Sequence, residues 1–466
     1  MVNLSLIEQC PSVLEKTHFE NLAMPIFTDT RKYQQPGAFV AIPGAKVNPL
    51  DVMAGLLDAG CPYVFWEQGA ENAPRVESLR LKYPKTMFIP VKDSVIFLQE
   101  ISRLHIEEWK LKSNNKTVFA ISGSNGKTTH KEMLSFILKS VLPGKVVATE
   151  KNNNNHLGVP LTLLEVRDET EIVVLELGSN HPGEIKVLCD IASPNAGLIT
   201  NIGATHMEFF GTEEKVFEEE GYLYHAVKSE TAGKGFFLIN VDDPFLKRFP
   251  VTPGSVTYGQ DSHSMARVSY LETGAQIKFQ GIDLLALNNH ITGKHNKLNL
   301  VTCLFIAHHF FPHDKVKLTE AALGFQPTKN RSEWIKFEEK SIFLDAYNAN
   351  PSSMKVALEG FKDSVIEQGF DLSDACVVLG DMNELGDSTP QYHKEVGHFV
   401  KELGFENVFF VGRYAPYYIS GNPQGAAKAS SADFKKEYRS DCLRKYPIHF
   451  IKGSRSLQLE SLFDIT

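Results

Sequence analysis

The feature that most constrains this chain is a glycine-rich loop between a predicted strand and a predicted helix. The strand is "TVFAIS" (117–122), the loop carries "GSNGKT" (123–128), and an amphipathic helix over 129–142 follows. Glycine lets the backbone wrap closely around an anion, and the N–H groups at the start of the helix attract phosphate. A strand, a phosphate loop and a helix in this order predict an α/β fold with a parallel sheet.

The chemistry of the loop predicts binding of a nucleoside triphosphate together with magnesium. Lys127 reaches the β- and γ-phosphates, and the hydroxyl of Thr128 suits Mg²⁺. Ile121 stands where the full eight-residue pattern has glycine, so this is the shortened form GxxGKT. The alternative, a chance glycine-rich turn, is disfavoured by the strand and helix on either side. The predicted nucleotide contacts are Gly123, Ser124, Asn125, Gly126, Lys127, Thr128 and Thr129.

The length and the spacing of apolar runs predict the domain organisation. At about 150 residues per domain, 466 residues correspond to roughly three domains. Apolar runs of strand length alternate with helical patterns throughout, and a polar stretch near Pro327 marks a linker. The predicted domains cover residues 1–92, 93–327 and 328–466. A single helix is expected over 49–60.

Composition excludes several other classes of protein. Lys plus Arg is 48 and Asp plus Glu is 56, a net charge of −8, which argues against a nucleic-acid binder. The six cysteines form no CxxC pair, which is typical of reduced thiols in the cytoplasm. No run approaches the ~20 apolar residues of a membrane span, and the N-terminus lacks a signal-peptide pattern. We therefore expect a cytoplasmic protein, and a monomer unless shown otherwise.

Acid and imidazole side chains follow the ends of two predicted strands after the phosphate loop. Glu176 ends the strand in "VVLELG", and His206 and Glu208 follow the next strand, in "TNIGATHMEFFG". Ligands bind at the carboxyl ends of parallel strands, and P-loop proteins place a metal-holding acid there. A structural role for each side chain is the alternative. Together the three favour a metal site at this edge of the sheet.

Segments along nearly the whole chain resemble the Mur ligases, the ATP-dependent amide-forming enzymes of peptidoglycan precursor synthesis. In chain order these segments are "FTDTRKYQQPGAFVAIPG" (27–44), "ISGSNGKTT" (121–129), "LELGSNHPGEI" (175–185), "TNIGATHMEFFG" (200–211), "KHNKLNLV" (294–301), "NRSEW" (330–334), "DAYNANPSSM" (345–354), "LGDMNELGDSTPQYHKEVG" (379–397) and "FIKGSRSLQLE" (450–460). The resemblance implies a small N-terminal domain for the UDP-sugar, a central P-loop ATPase domain with a parallel sheet, and a C-terminal Rossmann-like domain for the incoming dipeptide.

The resemblance also implies the reaction. We expect ATP-dependent joining of D-alanyl-D-alanine to UDP-N-acetylmuramoyl-tripeptide through an acyl phosphate, with ATP and Mg²⁺ as cofactors. Phosphorylation is needed because the oxide of a carboxylate is a poor leaving group. One alternative is a ligase of the folylpolyglutamate synthase type, and "YNANP" and "KGSR" argue against it. Another is a nucleotide-binding partner module without catalysis, which would predict decayed substrate segments.

Individual roles follow from the resemblance, residue by residue. The expected catalytic residues are Lys127, Glu176, His206 and Glu220; the expected metal ligands are Thr128, Glu176, His206 and Glu220. Asn299, Arg331 and Asp345 are expected to contact ATP at adenine, phosphate and ribose. The expected substrate contacts are Asp29, Thr30, Arg31, Asn152, Asn154, His181, Tyr347, Asn348 and Asn350. Thr30 replaces the family's serine. The alternatives are a plain polar loop for the asparagines and a surface ion pair between Arg331 and Glu333.

The segment "VFEEEGY" (216–222) departs from the family pattern. Most Mur ligases carry a lysine before this glycine, and a carbamate on that lysine helps to hold the second Mg²⁺. Here Glu220 stands at that place, and we expect its carboxylate to supply the oxygen directly. The alternative leaves all three glutamates solvated and gives the role to Lys215. Glu218 and Glu219 are expected to be solvated in either case.

Overall fold

This computed structural model describes residues 1–15, 18–19, 22–34, 36–327 and 329–463. Three mainly parallel sheets succeed one another along the described residues, with helices on their faces. The predicted α/β class is confirmed. Residue 35 of the segment 27–44, and residue 328, where the third predicted domain begins, lie outside the described residues. None of the described helices has the length and apolar character needed to cross a membrane.

The N-terminal sheet has the order β3-β4-β5-β6, and all its strand pairs are parallel. The strands of this part are β1 Val2–Asn3, β2 Ala23–Met24, β3 Ile26–Phe27, β4 Ala38–Ala41, β5 Tyr63–Glu67 and β6 Met87–Val91; the helices are α1 Pro49–Val52, α2 Ala54–Asp58, α3 Ala73–Lys82 and α4 Ser94–Leu111. The single helix predicted over 49–60 is wrong, because the chain leaves the helical conformation at Met53 and forms α1 and α2.

The central sheet has the order β15-β14-β13-β12-β11-β10-β7-β9-β8. Its strands are β7 Thr117–Ser122, β8 Val146–Ala148, β9 Ile172–Glu176, β10 Ala196–Ile199, β11 Phe236–Asn240, β12 Ser255–Gly259, β13 Ala266–Leu271, β14 Gly274–Phe279 and β15 Ile282–Leu287. Its helices are α5 Lys127–Val141, α6 Gly158–Leu164, α7 Glu184–Ala192, α8 Met207–Phe210, α9 Glu213–Glu230, α10 Lys294–Phe310 and α11 Lys315–Gly324.

The continuous apolar sequence of β7 follows from its place in the interior of this sheet, between β10 and β9. Phe119 and Ile121 pack into a core under α5 and α10, while Val118 and Ala120 point to the opposite face, toward α6, α7 and α9. A strand covered by helices on both faces has no polar side, so alternation disappears. This arrangement fixes the carboxyl end of β7 between those of β10 and β9, where the phosphate loop begins.

One edge of the central sheet differs from the strand–helix pattern that the sequence predicts. β13 pairs antiparallel with β14, and β14 pairs antiparallel with β15. Side chains of β13 alternate between buried and exposed, as in a sheet with one solvated face. Gly274 and Gly281 lie at the two tight connections between these strands. The alternation and the glycines were the available sequence signals for this meander.

The C-terminal sheet has the order β16-β17-β21-β18-β19-β20, parallel except for the pair of β16 with β17. Its strands are β16 Glu333–Phe337, β17 Lys340–Asp345, β18 Ala375–Gly380, β19 Asn407–Val411, β20 Ala426–Lys428 and β21 Ile448–Lys452; its helices are α12 Pro351–Glu367, α13 Thr389–Glu402, α14 Ala415–Gly421, α15 Ser431–Glu437 and α16 Leu443–Lys445. The sequence predicts β17, β18, β19 and β21; β16 and β20 extend the two edges.

A buried ion pair joins the ends of two adjacent strands in this sheet. The parallel register sets Asp345, at the end of β17, opposite Lys452, at the end of β21. The ammonium of Lys452 contacts the Asp345 carboxylate and donates to the carbonyl of Asn348 at 3.0 Å, and only 2% of Lys452 is exposed. An ammonium out of water needs such partners, so the sheet register and the ion pair depend on one another.

We expect Lys452→Met to lower the free energy of unfolding by about 3–5 kcal/mol, because it leaves the Asp345 carboxylate buried without its counter-charge. The double variant Asp345→Asn/Lys452→Met should recover part of that loss, since neither charge then remains. Urea unfolding followed by circular dichroism measures both. Lys445→Met, at an exposed position in α16, is the matched control. A loss no larger than that of the control would contradict the role of the pair.

Candidate active site

The phosphate loop connects β7 to α5 with two glycines in left-handed conformation. Gly123 has φ 118° and Gly126 has φ 81°. A Cβ atom on Gly123 would lie 2.3 Å from the hydroxyl oxygen of Thr200 and 2.9 Å from the Thr200 nitrogen, so no larger residue fits. On Gly126 the nearest atoms would be 3.6 Å away, which is ordinary contact. Gly123 is therefore required by a close approach and by its φ, and Gly126 by its φ alone.

Residues after β10 hold the loop in shape. The N–H of Ser124 donates to the Asn201 carbonyl at 2.9 Å, and the N–H of Asn125 donates to the Asn201 side chain at 3.2 Å. The Thr200 hydroxyl donates to the carbonyl of Asn125 at 2.6 Å. The loop is thus hydrogen-bonded to the residues that follow the neighbouring strand.

Lys127 and Thr128 open helix α5 at the mouth of the loop. The Lys127 ammonium contacts the carbonyl of Gly123, and the Thr128 hydroxyl donates to Glu176 Oε1 at 3.0 Å. Both side chains lie at the positive end of a helix, where phosphate binds. The predicted proximity of the loop hydroxyl and the acid at the end of β9 is present in the structure.

One carboxylate oxygen of Glu176 accepts hydrogen bonds, and the other accepts none from the described residues. Asn154 donates its amide to Oε1 at 2.9 Å, beside the Thr128 hydroxyl. Oε2 is buried and has no hydrogen-bond partner among the described residues. A buried carboxylate oxygen without a partner is costly unless a cation or donor completes it. The donor set of Thr128 and Glu176 therefore fits Mg²⁺, which takes oxygen ligands.

The described residues contain no group of three His, Cys, Asp or Glu side chains placed to hold one metal ion. Glu176, His206 and Glu220 therefore do not form a single preformed cage. This pattern is compatible with magnesium, because Mg²⁺ in nucleotide sites is held by one or two carboxylates, with water and phosphate completing the shell. The metal roles of Thr128, Glu176, His206 and Glu220 stay predictions.

Glu220 is buried beneath the phosphate loop. Its Oε2 accepts the N–H of Gly123 at 2.8 Å, and its Oε1 lies 3.4 Å from the Ser179 hydroxyl, which donates to it. Only 3% of Glu220 is exposed, whereas Glu218 and Lys215 are exposed. The alternative of three solvated glutamates is therefore wrong. The contact with Gly123 gives Glu220 a second role that the sequence does not predict, in holding the loop backbone.

Glu219 is also bound, which corrects the expectation that it is solvated. Its two oxygens accept the N–H groups of Gly183 and Ile185, both at 2.7 Å, at the start of α7. Burial raises the pKa of the Glu219 carboxyl, although the two N–H groups oppose that shift. Glu219 thus joins α9 to α7, and Glu218 remains the exposed member of the three.

His206 reaches the C-terminal part of the chain. Its Nδ1 lies 2.6 Å from Oε2 of Glu384, which holds the pKa of the Glu384 carboxyl below its ordinary value. The distance is that of a hydrogen bond, but the ring N–H is not aligned on the oxygen, and Nδ1 has no other partner among the described residues. The sequence predicts His206 as a ligand but does not predict Glu384 as its neighbour.

Asn125 joins the phosphate loop to the start of helix α12. Its side chain donates to the Ser352 hydroxyl at 2.8 Å and accepts from Asn350 at 2.7 Å. Asn350 also caps α12, since its side-chain oxygen accepts the N–H of Ser353 at 2.8 Å. The loop and the segment "YNANPSSM" therefore share one hydrogen-bond network, which places the predicted substrate residue Asn350 directly against the phosphate site.

A cleft beside the phosphate loop is lined by both the central and the C-terminal parts. Thr129, His290, Asn296, Arg331 and Ser332 are among its lining residues. Thr129 places the cleft beside the first turn of α5, next to the phosphate loop.

Arg331 lies over the ring of Tyr347, 4.0 Å from its centroid. The carboxylate of Glu333 accepts the N–H of Asn330. It forms no ion pair with Arg331 among the described residues, so that alternative is wrong. Asn299 donates weakly to Asn296 at 3.5 Å, and Ser332 donates its N–H to Asp345 at 3.3 Å.

The remaining predicted substrate residues lie on exposed segments. Asp29 and Arg31 form a two-bond ion pair, which lowers the pKa of Asp29 to about 2, and Thr30 begins the short helical turn between them. Asn152 is exposed, and the His181 ring packs on Phe209 with centroids 4.1 Å apart. The side-chain oxygen of Asn348 accepts the N–H of the next residue, Ala349. Their roles toward substrate stay predictions.

The fold and the loop together define a class of protein: a P-loop enzyme that handles a nucleoside triphosphate, with further α/β regions on either side of the nucleotide-binding one. Residues 121–307 match the Mur ligase middle domain, and residues 330–441 match the Mur ligase glutamate ligase domain. A protein of Bacillus subtilis (strain 168) named UDP-N-acetylmuramoyl-tripeptide–D-alanyl-D-alanine ligase is 30% identical over 474 residues, covering 98% of this chain and 96% of that protein. The chain belongs to the Mur ligase family.

Further relatives agree with this assignment. An Escherichia coli (strain K12) protein of the same name is 27% identical over 451 residues, with 94% of this chain and 92% of that protein covered. The crystal structure of MurF from Acinetobacter baumannii has the same fold, with a TM-score of 0.80, 24% identity and coverage of 99% and 97%. MurF from Thermotoga maritima in complex with ADP has a TM-score of 0.76, 23% identity and coverage of 95% and 96%. The predicted family, fold class and enzyme class, an ATP-dependent ligase, are confirmed.

The sequence missed several residues that complete the site. Asn201 and Ser352 bond the phosphate loop, Glu384 meets His206, and Lys452 pairs with Asp345. All four lie inside segments that carry the family resemblance, and that membership was the available signal. Pairing residues that are 76 to 227 positions apart requires the folded chain.

We expect Gly123→Ala to lower the free energy of unfolding by about 3 kcal/mol, because it combines a left-handed φ with a clash against Thr200. Gly126→Ala should cost only about 1 kcal/mol, since strain acts there without a clash. Chemical unfolding of the two variants, side by side, measures the difference. Equal losses at the two positions would show that the close approach does not matter.

We expect Glu220→Gln to lower the ligase rate at least tenfold, because the variant removes the negative charge under the loop. Glu218→Gln, at the exposed neighbouring position, should keep the wild-type rate. Added bicarbonate should leave the wild-type rate unchanged, since a glutamate needs no CO₂. Thermal melting of both variants separates a loss of folding from a loss of chemistry. Equal rates for the two variants would refute the role of Glu220.

Proposed function

We propose that this protein joins D-alanyl-D-alanine to UDP-N-acetylmuramoyl-tripeptide at the expense of ATP, in the synthesis of the peptidoglycan precursor. The observation that carries the proposal is the match over 98% of the chain to a relative with that name, together with a phosphate loop bonded to the C-terminal segment. The sugar nucleotides and ATP that the reaction uses are cytoplasmic compounds, which supports a cytoplasmic enzyme.

The reaction divides into two displacements. A carboxylate oxygen of the tripeptide attacks the γ-phosphorus of ATP, ADP leaves, and an acyl phosphate forms. The amine of the dipeptide then attacks the acyl carbon, the tetrahedral intermediate expels phosphate, and the nitrogen loses a proton to give the amide. Each displacement gathers negative charge at one place, so the site must supply positive charge and N–H donors there.

The residues of the loop support the first step. In our proposal Lys127 and the N–H groups at the start of α5 hold the β- and γ-phosphates in line with the attacking carboxylate. Thr128 and Glu176 would hold one Mg²⁺, and His206, with Glu220 near the loop, would hold a second. When bound, the metal ions neutralise charge on the phosphates and the attacking oxygen. Arg331 contacts an ATP phosphate, Asp345 contacts the ribose, and Asn299 contacts the adenine.

The predicted domains divide the substrates among them. We assign residues 1–92, with Asp29, Thr30 and Arg31, to the uridine nucleotide, and residues 93–327 to ATP. Residues 328–466, with Tyr347, Asn348 and Asn350, receive the dipeptide, while Asn152, Asn154 and His181 face the peptide part of the sugar nucleotide. The direct bonds of Asn125 to Asn350 and Ser352 support a dipeptide site next to the phosphates. Water is excluded from the acyl phosphate when these parts close together.

A phosphate-release assay with a substrate panel tests the proposal. ATP turnover should require both the UDP-muramoyl tripeptide and D-alanyl-D-alanine, and Lys127→Met should abolish it. Running tripeptides with diaminopimelate and with lysine at the third position identifies the natural one. Turnover with a folate and glutamate instead would favour the folylpolyglutamate synthase type. Tight ATP binding without ATP turnover on any combination of substrates in the panel would favour a non-catalytic partner module and would refute the proposal.

A further inference from the structure

The segment around α8 and the loop after β18 are docked on one another. The N–H of Glu208 donates to the carbonyl of Glu384 at 3.1 Å. A Cβ atom on Gly386 would lie 3.0 Å from the Glu208 Cα, so the two backbones are close to contact. Met207 and Leu385 are buried in the same apolar core. The position of His206, which directly precedes α8, therefore depends on the C-terminal part of the chain.

Two residues at this contact hold a backbone conformation that side chains disfavour. His206 has φ 49° and Glu384 has φ 62°. The left-handed region is unfavourable for non-glycine residues, and such strain persists only where the surroundings fix it. Here both strained residues turn their side chains toward each other across the contact. The local sequence alone would relax both, so the docking maintains them.

One nitrogen of the imidazole lies at this contact, close to the carboxylate, although its ring N–H is not aligned on the oxygen. Nδ1 lies 2.6 Å from Glu384 Oε2, is buried, and has no other partner among the described residues. A neutral imidazole carries its proton on one nitrogen and a lone pair on the other. A carboxylate beside Nδ1 favours the proton there, and the lone pair is then on Nε2. Histidine metal ligands commonly have their second nitrogen held by a carboxylate in this way.

We propose that Glu384 is a positioning residue that holds the His206 ring in the tautomer and orientation needed to ligate the second divalent cation. The inference rests on the proposed nucleotide and cation site. It adds that one proposed ligand of the cation, His206, is held in place by a residue of the C-terminal part of the chain, 178 positions away. The cation therefore binds fully only when the loop after β18 is docked on α8, which links metal binding to domain docking.

Binding of Mn²⁺ tests this role without any peptide substrate. The protein is saturated with a non-hydrolysable ATP analogue, and free Mn²⁺ is followed by electron paramagnetic resonance. We expect two bound ions in the wild type and a Kd for the weaker one that rises at least tenfold in Glu384→Ala. Glu384→Gln should lose less, because its amide oxygen can still accept from Nδ1. The matched control is Glu395→Gln, a surface glutamate of α13 paired with Lys355.

A second readout separates positioning from adhesion between the two parts. Nitrogen-15 spectra of the histidine rings, with the His206 signal assigned from His206→Gln, should show the proton on Nδ1 in the wild type and its loss from Nδ1 in Glu384→Ala. If Glu384 only held the two parts in contact, Glu384→Ala would not change the tautomer of His206.

Three results would overturn the proposal: unchanged Mn²⁺ affinity in Glu384→Ala, an unchanged tautomer, or only one Mn²⁺ bound by the wild type. The control Glu395→Gln should match the wild type in every measurement. Neither experiment uses the tripeptide or the dipeptide. A negative substrate panel combined with a positive Mn²⁺ result would therefore reject the proposed substrates and retain the role of Glu384. A positive substrate panel combined with a negative Mn²⁺ result would retain the substrates and reject the role of Glu384.

Discussion

The close approach of Gly123 to the end of β10 is the constraint on which the rest of the site depends. A phosphate loop must expose N–H groups on one side, so its other side has to be held by the protein. Here Thr200 and Asn201 hold it from the neighbouring strand, and Glu220 holds it from below. No side chain fits at Gly123, because its space is taken by these groups. The loop is thus held on its protein side by hydrogen bonds to three neighbouring residues.

The three glutamates before Gly221 show how a helix distributes identical residues. Successive residues on α9 point about 100° apart, so they meet different surroundings. Glu218 faces solvent, Glu219 accepts the first N–H groups of α7, and Glu220 accepts the N–H of Gly123. Helix α9 therefore joins the phosphate loop to α7, and the carboxylate of Glu220 has a structural partner in the loop backbone.

Two of the contacts between the central and C-terminal parts involve predicted site residues and differ in their chemistry. At the phosphate loop, Asn125 shares hydrogen bonds with Asn350 and Ser352, and near α8 the imidazole of His206 meets Glu384. Polar networks between domains are strong only when every member finds its partner. Because both contacts include residues predicted to serve ATP or metal, docking and ligand binding act on the same side chains. Such an arrangement would protect the proposed acyl phosphate from water.

The sequence by itself determined the α/β class, the phosphate loop with Lys127 and Thr128, and the acid at the end of β9, because these depend on local pattern and on glycine chemistry. It also carried the family resemblance. Only the tertiary structure decided that Glu219 is bound, that Lys452 neutralises Asp345, and that Glu384 meets His206. The physical reason is distance along the chain: local patterns set backbone conformation, whereas the partner of a buried charge is chosen by sheet register and domain docking, which no local pattern records.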